Sequence, residues 1–149
     1  MDLRAARIGL ALVAAALCAS CARDGELAGA WRSKVQFADG AFASIKDLEF
    51  MYAFNAGGTM TESSNYDAAP PVPPAYGIWR VTGPNRFEAR YEFYASRPPA
   101  GRGVFVETIT LSDDGRSFTS TIRYEAYDAA GQPIEGGGSA TGQGERLTF

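Results

Sequence analysis

Residues 86–93, RFEARYEF, alternate charged and apolar side chains without a break. Successive side chains of a β-strand point to opposite faces, so this stretch predicts a strand with one wet and one dry face. A period of two recurs in residues 30–37 and 47–54. Turn-forming groups separate such runs, and further strands are predicted near residues 59–64, 76–82, 104–111, 118–127 and 138–149.

The pattern therefore predicts eight consecutive antiparallel strands in one all-β domain, residues 23–149. Apart from a possible turn within residues 42–46, nothing in this part of the sequence predicts a helix that would cover an apolar sheet face or an exposed edge. Closure into an up-and-down barrel solves both problems. A two-sheet β-sandwich is the alternative, although sandwiches usually need longer crossing connections than these hairpins provide.

Composition limits the possible functions. The chain has 149 residues, which gives room for one domain. Its 14 basic and 17 acidic residues include no basic cluster of the kind that binds nucleic acid, so no nucleic-acid partner is predicted. The sequence contains no histidine, which excludes His-based catalytic triads and His-ligated metals. No cofactor, metal site or catalytic residue is predicted.

Residues 1–22 have the organisation of an export signal. Arg4 and Arg7 precede an apolar run over residues 8–17, which is too short to span a bilayer. The sequence LCASC, which ends at Cys21, resembles a bacterial lipoprotein signal, in which the final cysteine receives a lipid and becomes the new N-terminus. This resemblance implies lipidation of Cys21 and a periplasmic or outer-membrane-anchored protein. Ordinary signal cleavage is the alternative.

A second resemblance is carried by Gly29-Ala30-Trp31 at the predicted first strand and by Arg146 in the last. It is similar to the lipocalin-like, or calycin, pattern, in which a G-x-W motif lies beneath a late arginine at the closed end of an eight-stranded barrel. Small bacterial lipocalin-like proteins are similar over most of residues 27–147. The resemblance implies a barrel closed by Gly29, Trp31 and Arg146, and it implies more about fold than about activity.

The dry faces predict an unusually aromatic barrel interior. An eight-stranded barrel has the size at which the interior is either just filled or holds one small ligand. Buried tyrosines also need partners for their hydroxyls, which suits an amphipathic ligand or ordered water. The candidate ligand-binding residues on this face are Tyr52, Trp79, Tyr91, Phe93, Phe105, Glu107 and Tyr124.

Glu107 is the most informative polar residue, because it has the same parity as Ile109. A buried carboxylate must find a cation or hydrogen-bond donors, or take up a proton. Tyr91 and Tyr124 on the adjacent strands are its expected neighbours. If the other face of the strand points inward, Glu107 is instead solvated, and Glu62 is open to the same two interpretations.

Connection lengths predict which end of the barrel is open. Alternate connections of an up-and-down barrel share an end, and the two long ones, near residues 65–75 and 95–103, are both rich in proline. Proline stiffens extended chain, so these connections predict a mouth with fixed walls. The alternative is that the prolines only protect strand ends.

Three functions remain as hypotheses. The leading one is an exported binding protein that holds a small hydrophobic, aromatic or amphipathic molecule inside the barrel. The second is an enzyme resembling the barrel cyclases and isomerases, with Glu107 as acid or base. The third is a structural envelope protein whose core is simply full.

Overall fold

Eight antiparallel strands form one closed barrel in the computed structural model, which describes residues 27–67, 73–95 and 99–149. Each strand pairs with its neighbours in sequence, and β1 pairs with β8 to complete the ring. The strands are β1 (Gly29–Phe37), β2 (Glu49–Phe54), β3 (Thr59–Ser64), β4 (Ala75–Gly83), β5 (Arg86–Ala95), β6 (Gly101–Leu111), β7 (Ser117–Tyr127) and β8 (Pro133–Arg146).

The predicted all-β barrel is confirmed, and the sandwich alternative is wrong. The described ranges contain no helix. Accordingly, no helix in the described part of the chain has the length and apolar character needed to cross a membrane.

Side-chain parity is the same as the sequence predicts. Rings predicted to face inward are buried, among them Phe50, Tyr91 and Phe118. They pack into one cluster, in which the ring of Phe105 lies 5.6 Å from that of Phe50 and 5.0 Å from that of Tyr124, measured between centroids. Aromatic side chains therefore fill the centre of the barrel.

The last strand begins earlier than predicted. β8 starts at Pro133, whereas the sequence indicated a start near residue 138. A register shift between Tyr124 and Ala126 lets the residues after Pro133 pair with the end of β7. Proline is tolerated as the first residue of a strand, and Pro133 and Ile134 pair with Tyr127 and Ala126 before the shift.

The connections divide between two ends of the barrel. At one end, which we call the tight-turn end, lie the short connections 55–58, 84–85 and 112–116 and the start of β1. At the other, the proline end, lie the connections 38–48 and 128–132, together with the end of β3, the start of β4, the end of β5 and the start of β6.

Not every predicted feature falls within the described part of the chain. Residues 1–22, with Cys21, lie outside the described residues. So do residues 68–72 and 96–98, which form much of the predicted proline walls.

The first connection partly covers the proline end. It turns at residues 41–44, near the turn that the sequence indicated, with Ile45 N donating to Phe42 O at 3.1 Å. The ring of Phe42 lies 5.2 Å from that of Phe37 and 4.8 Å from that of Tyr124. An apolar side chain from a connection thus packs against interior rings at this end.

Candidate functional site

A cavity of about 220 Å³ lies at the proline end of the barrel. Its lining combines inward-facing strand residues with side chains of the first connection, including Phe42, Ile45, Phe50, Glu62, Phe93 and Phe105. Ala41 on its edge is exposed and Ile45 is half-buried, so the cavity reaches the surface beside the first connection. Its walls are mainly apolar, and Glu62 is the charged side chain among them.

Glu62 is buried although it carries an ionisable group. Its side chain lies on the inner face of β3, opposite Tyr52 of β2, and the residue is only 5% exposed. Its Oε1 atom has no hydrogen-bond partner among the described residues. Burial, followed by the negative charges of Asp67 and Glu107, raises the pKa of Glu62 to about 8.

The rim of the cavity is acidic. The Tyr66 hydroxyl donates to Asp47 Oδ1 at 2.6 Å, and the Ser64 hydroxyl donates to Asp67 Oδ1 at 2.9 Å. Ser64 and Tyr66 both line the cavity, so each brings a carboxylate close to its edge. Such a rim favours the approach of cations over that of anions.

A second polar cluster lies inside the barrel, away from the cavity lining. Tyr91 donates to Glu107 Oε2 at 2.9 Å, and the hydroxyls of Tyr52 and Tyr91 lie 3.3 Å apart. When Glu107 is ionised, the single proton of Tyr91 is directed to it and Tyr52 is the donor to Tyr91. Glu107 is fully buried.

The protonation of this cluster follows from its burial. Burial raises the pKa of Glu107, and the hydroxyls of Ser120, Tyr91 and Tyr52 oppose that rise. Burial and the Glu107 charge raise the pKa values of Tyr52 and Tyr91 well above their ordinary range. Ser120 lies close enough to act on Glu107, yet no hydrogen bond of good geometry joins Ser120 Oγ to Glu107 Oε1. The tyrosines therefore stay protonated as donors.

The structure separates the predicted ligand-binding residues into groups. Phe93 and Phe105 line the cavity. Tyr124 packs on both of those rings, at centroid distances of 6.3 and 5.0 Å. Trp79 lies at the opposite end, where its indole donates to Asn55 O at 2.9 Å.

The deeper predicted residues form the polar cluster. Tyr52, Tyr91 and Glu107 are joined by hydrogen bonds and do not line the cavity. Tyr91 is a neighbour of Glu107 as expected, whereas the other hydroxyls near that carboxyl are those of Ser120 and Tyr52 rather than Tyr124.

Sequence reasoning missed the cavity residues of the connections. Phe42, Ile45 and Tyr66 lie outside the strands, where period-two alternation gives no information about orientation. The available signal was the presence of two large apolar residues, Phe42 and Ile45, among the small and polar residues 38–47.

The predicted closure residues meet at the tight-turn end. The Arg146 guanidinium lies 4.2 Å from the centroid of the Trp31 ring. It also donates to Ala28 O at 2.7 Å and to Gly115 O at 2.8 Å. A Cβ atom at residue 29 would approach Arg146 Nη1 to 2.6 Å, and the φ of +138° there also favours glycine.

Comparison with known proteins assigns no relatives. No family model matches the chain, and no curated protein matches it significantly. Any function must therefore be argued from the cavity and its side chains.

Proposed function

We propose that this protein is a binding protein for a small, largely apolar molecule held in the cavity at the proline end. The observation that carries the proposal is an apolar cavity that reaches the surface and contains one buried carboxyl with an unpartnered oxygen. Ligand sites typically combine apolar walls with a few placed polar groups. The volume of about 220 Å³ favours a ligand no larger than a single substituted ring.

An enzyme with Glu107 as acid or base has less support. Burial raises the pKa of Glu107, and perturbed carboxyl pKa values are a common feature of catalytic acids and bases. However, Glu107 is fully buried and already accepts the Tyr91 hydrogen bond, and it does not line the described cavity. A wholly filled structural barrel is also less favoured, because a cavity of about 220 Å³ remains beside the rings that fill the centre of the barrel.

The N-terminal sequence adds a location to the proposal. The export signal in residues 1–22 and its lipoprotein-like end at Cys21 support a periplasmic or outer-membrane-anchored protein. The position of Trp31 beneath Arg146 supports a lipocalin-like assignment. Since β1 begins at the tight-turn end, a tether at Cys21 would lead into that end and leave the cavity facing away from the membrane.

Filling the cavity tests the proposal. The probe is 2-phenylethanol, a small uncharged molecule with one ring, titrated by calorimetry. We expect saturable one-site binding to the unaltered protein. Ile45→Trp places a larger side chain on the cavity wall and is expected to weaken binding about tenfold or more.

A matched control is available on the barrel's outside. Ile134 is 52% exposed, so Ile134→Trp makes the same chemical change away from the cavity and is expected to leave binding unchanged. No saturable binding, or an equal effect of the two variants, would overturn the proposed site.

A further inference from the structure

The described interior contains acidic side chains but no basic ones. The buried charged residues of the described ranges are Glu62 and Glu107, and no described lysine or arginine is buried. No salt bridge involves either carboxyl within the described part of the chain. Glu107 Oε2 accepts from Tyr91 while its Oε1 has no partner, and Oε1 of Glu62 has none either; of these two carboxyls, Glu62 is the one that lines the cavity.

The cavity provides space for a hydrogen-bond donor to Glu62. The unpartnered Glu62 belongs to the wall of the 220 Å³ cavity. The aromatic rings of Phe42, Phe50, Phe93 and Phe105 form other parts of the same wall. Aromatic faces attract cations through the ring quadrupole, and a desolvated carboxylate attracts them through charge.

The charged groups around the cavity also favour a cation over an anion. Asp47 and Asp67 are held near the edge by Tyr66 and Ser64. Lys46, a basic side chain beside this rim, is exposed and donates to Ala43 O at 2.7 Å rather than to a carboxylate. An anionic ligand would have to approach these acidic groups, whereas a cation is attracted by them.

We infer that the ligand of the cavity is a small organic cation, an amine on an aromatic or apolar body, whose ammonium group pairs with the Glu62 carboxylate. This inference rests on the proposed binding function and specifies its ligand class. The amine supplies the donor that Glu62 Oε1 lacks, while its apolar body contacts the phenylalanine walls.

Binding of a cation is coupled to a proton. Glu62 has a pKa of about 8 without ligand, so much of it is protonated near neutral pH. A bound ammonium favours the carboxylate and expels that proton. The charges that act on Glu62 are those of Asp67, from the connection after β3, and Glu107, from β6. Asp47 and the Tyr66 hydroxyl lie at the rim. The hydroxyls of Tyr52 and Tyr91 have pKa values well above this range.

Three probes with related skeletons separate the ligand classes. The cationic 2-phenylethylamine, the neutral 2-phenylethanol and the anionic phenylacetate are titrated into the full protein at a pH just below 8. We expect the amine to bind about tenfold more tightly than the alcohol, with phenylacetate weakest. The amine titration, repeated in buffers of different ionisation enthalpy, should show proton release.

A single isosteric substitution tests the role of Glu62. In Glu62→Gln the preference for amine over alcohol should fall to within about threefold, and proton release should disappear, while alcohol binding persists. Glu88→Gln removes a carboxylate from the outer face of β5, where it pairs with Arg80, and should retain the full preference. Proton release by the unaltered protein keeps the inference testable if Glu62→Gln does not fold.

The outcomes also separate this inference from the proposed function. If 2-phenylethanol binds and Ile45→Trp blocks it, but the amine has no advantage, the cavity binds ligands and the cation assignment is wrong. Tighter binding of phenylacetate overturns it as well, since a protonated Glu62 would then be pairing with an acid. If none of the probes binds, both proposals fail.

Discussion

At the residue scale, Glu62 links the cavity to the pH dependence of stability. Its pKa of about 8 in the folded protein lies above the ordinary value of 4.5, so between these values the folded state holds a proton that the unfolded state has released. Stability must then fall as pH rises through this window and level off above about pH 8. One such group contributes at most about 1.4 kcal/mol per pH unit.

The test compares urea unfolding at several pH values between about 5 and 8. The unaltered protein should lose stability as pH rises, and Glu62→Gln should reduce that slope, because glutamine has no proton to lose. Some slope should remain in this variant, since the pKa of Glu107 is also raised. Glu88→Gln on the outer face is the control with an unchanged slope. Equal slopes for Glu62→Gln and the unaltered protein would contradict the assignment.

The two buried glutamates also show what sequence can predict about a site. Parity favoured the inner face for Glu107, beside Tyr91, although the valines on both sides of Phe105 left the other face of that strand open. The structure buries Glu107 and makes Tyr91 its donor. Glu62 lies in the six-residue strand β3, where alternation is short and its meaning ambiguous. That Glu62 rather than Glu107 lines the cavity depends on where the first connection folds, which local sequence does not specify.

At the scale of strands, some large aromatic rings of the interior lie opposite a glycine on the neighbouring strand. Across neighbouring strands, Phe93 faces Gly103 and Phe118 faces Gly144. A Cβ atom at Gly144 would overlap the ring of Phe118. The glycines therefore leave the volume that the rings occupy, which is how large and small side chains fill a narrow barrel.

This pairing leads to a stability prediction. Gly144→Ala should lower the free energy of unfolding by about 1–3 kcal/mol, because its methyl group must displace a ring in a packed interior. The φ angle at Gly144 is not in the left-handed region, so the effect reports packing rather than backbone strain.

Gly57 provides the matched control for this substitution. A Cβ atom at Gly57 meets no other atom within 4 Å, so Gly57→Ala should change stability by no more than about 0.5 kcal/mol. Urea unfolding of the two variants checks both expectations. A similar small effect for both would mean that the rings have room to move.

At the scale of the whole molecule, alternation and turn spacing were sufficient to predict the barrel. Each strand has a dry face, and without helices in the described residues only closure covers both the faces and the edges. The cover at the proline end could not be predicted, because Phe42 packs against Tyr124, a residue remote in sequence. The fold thus follows from a repeated local pattern, whereas the cavity depends on contacts between distant segments.

The stability of the tight-turn end depends on the pairing of β1 with β8, which closes the barrel. Trp31 of β1 is the register partner of Arg146 of β8. Arg146 joins three parts of the chain, since it covers the Trp31 ring and donates to Ala28 O and to Gly115 O in the turn before β7. The Trp31 indole donates in turn to Leu27 O at 2.9 Å, and the residue is fully buried.

Removing the indole should therefore weaken the barrel as a whole. Trp31→Ala deletes a large buried ring and leaves Arg146 without the surface it covers, so we expect a loss of about 3–5 kcal/mol in the free energy of unfolding. Tyr94→Ala removes an aromatic ring that is 69% exposed on the outer face, and should cost no more than about 0.5 kcal/mol. Both losses are measured by urea unfolding with probes at the two ends of the barrel. Because strands closed into one ring have no free edge from which to separate, the probes should report a single transition in Trp31→Ala. A loss as small as that of Tyr94→Ala would show that Trp31 and Arg146 do not hold the first and last strands together.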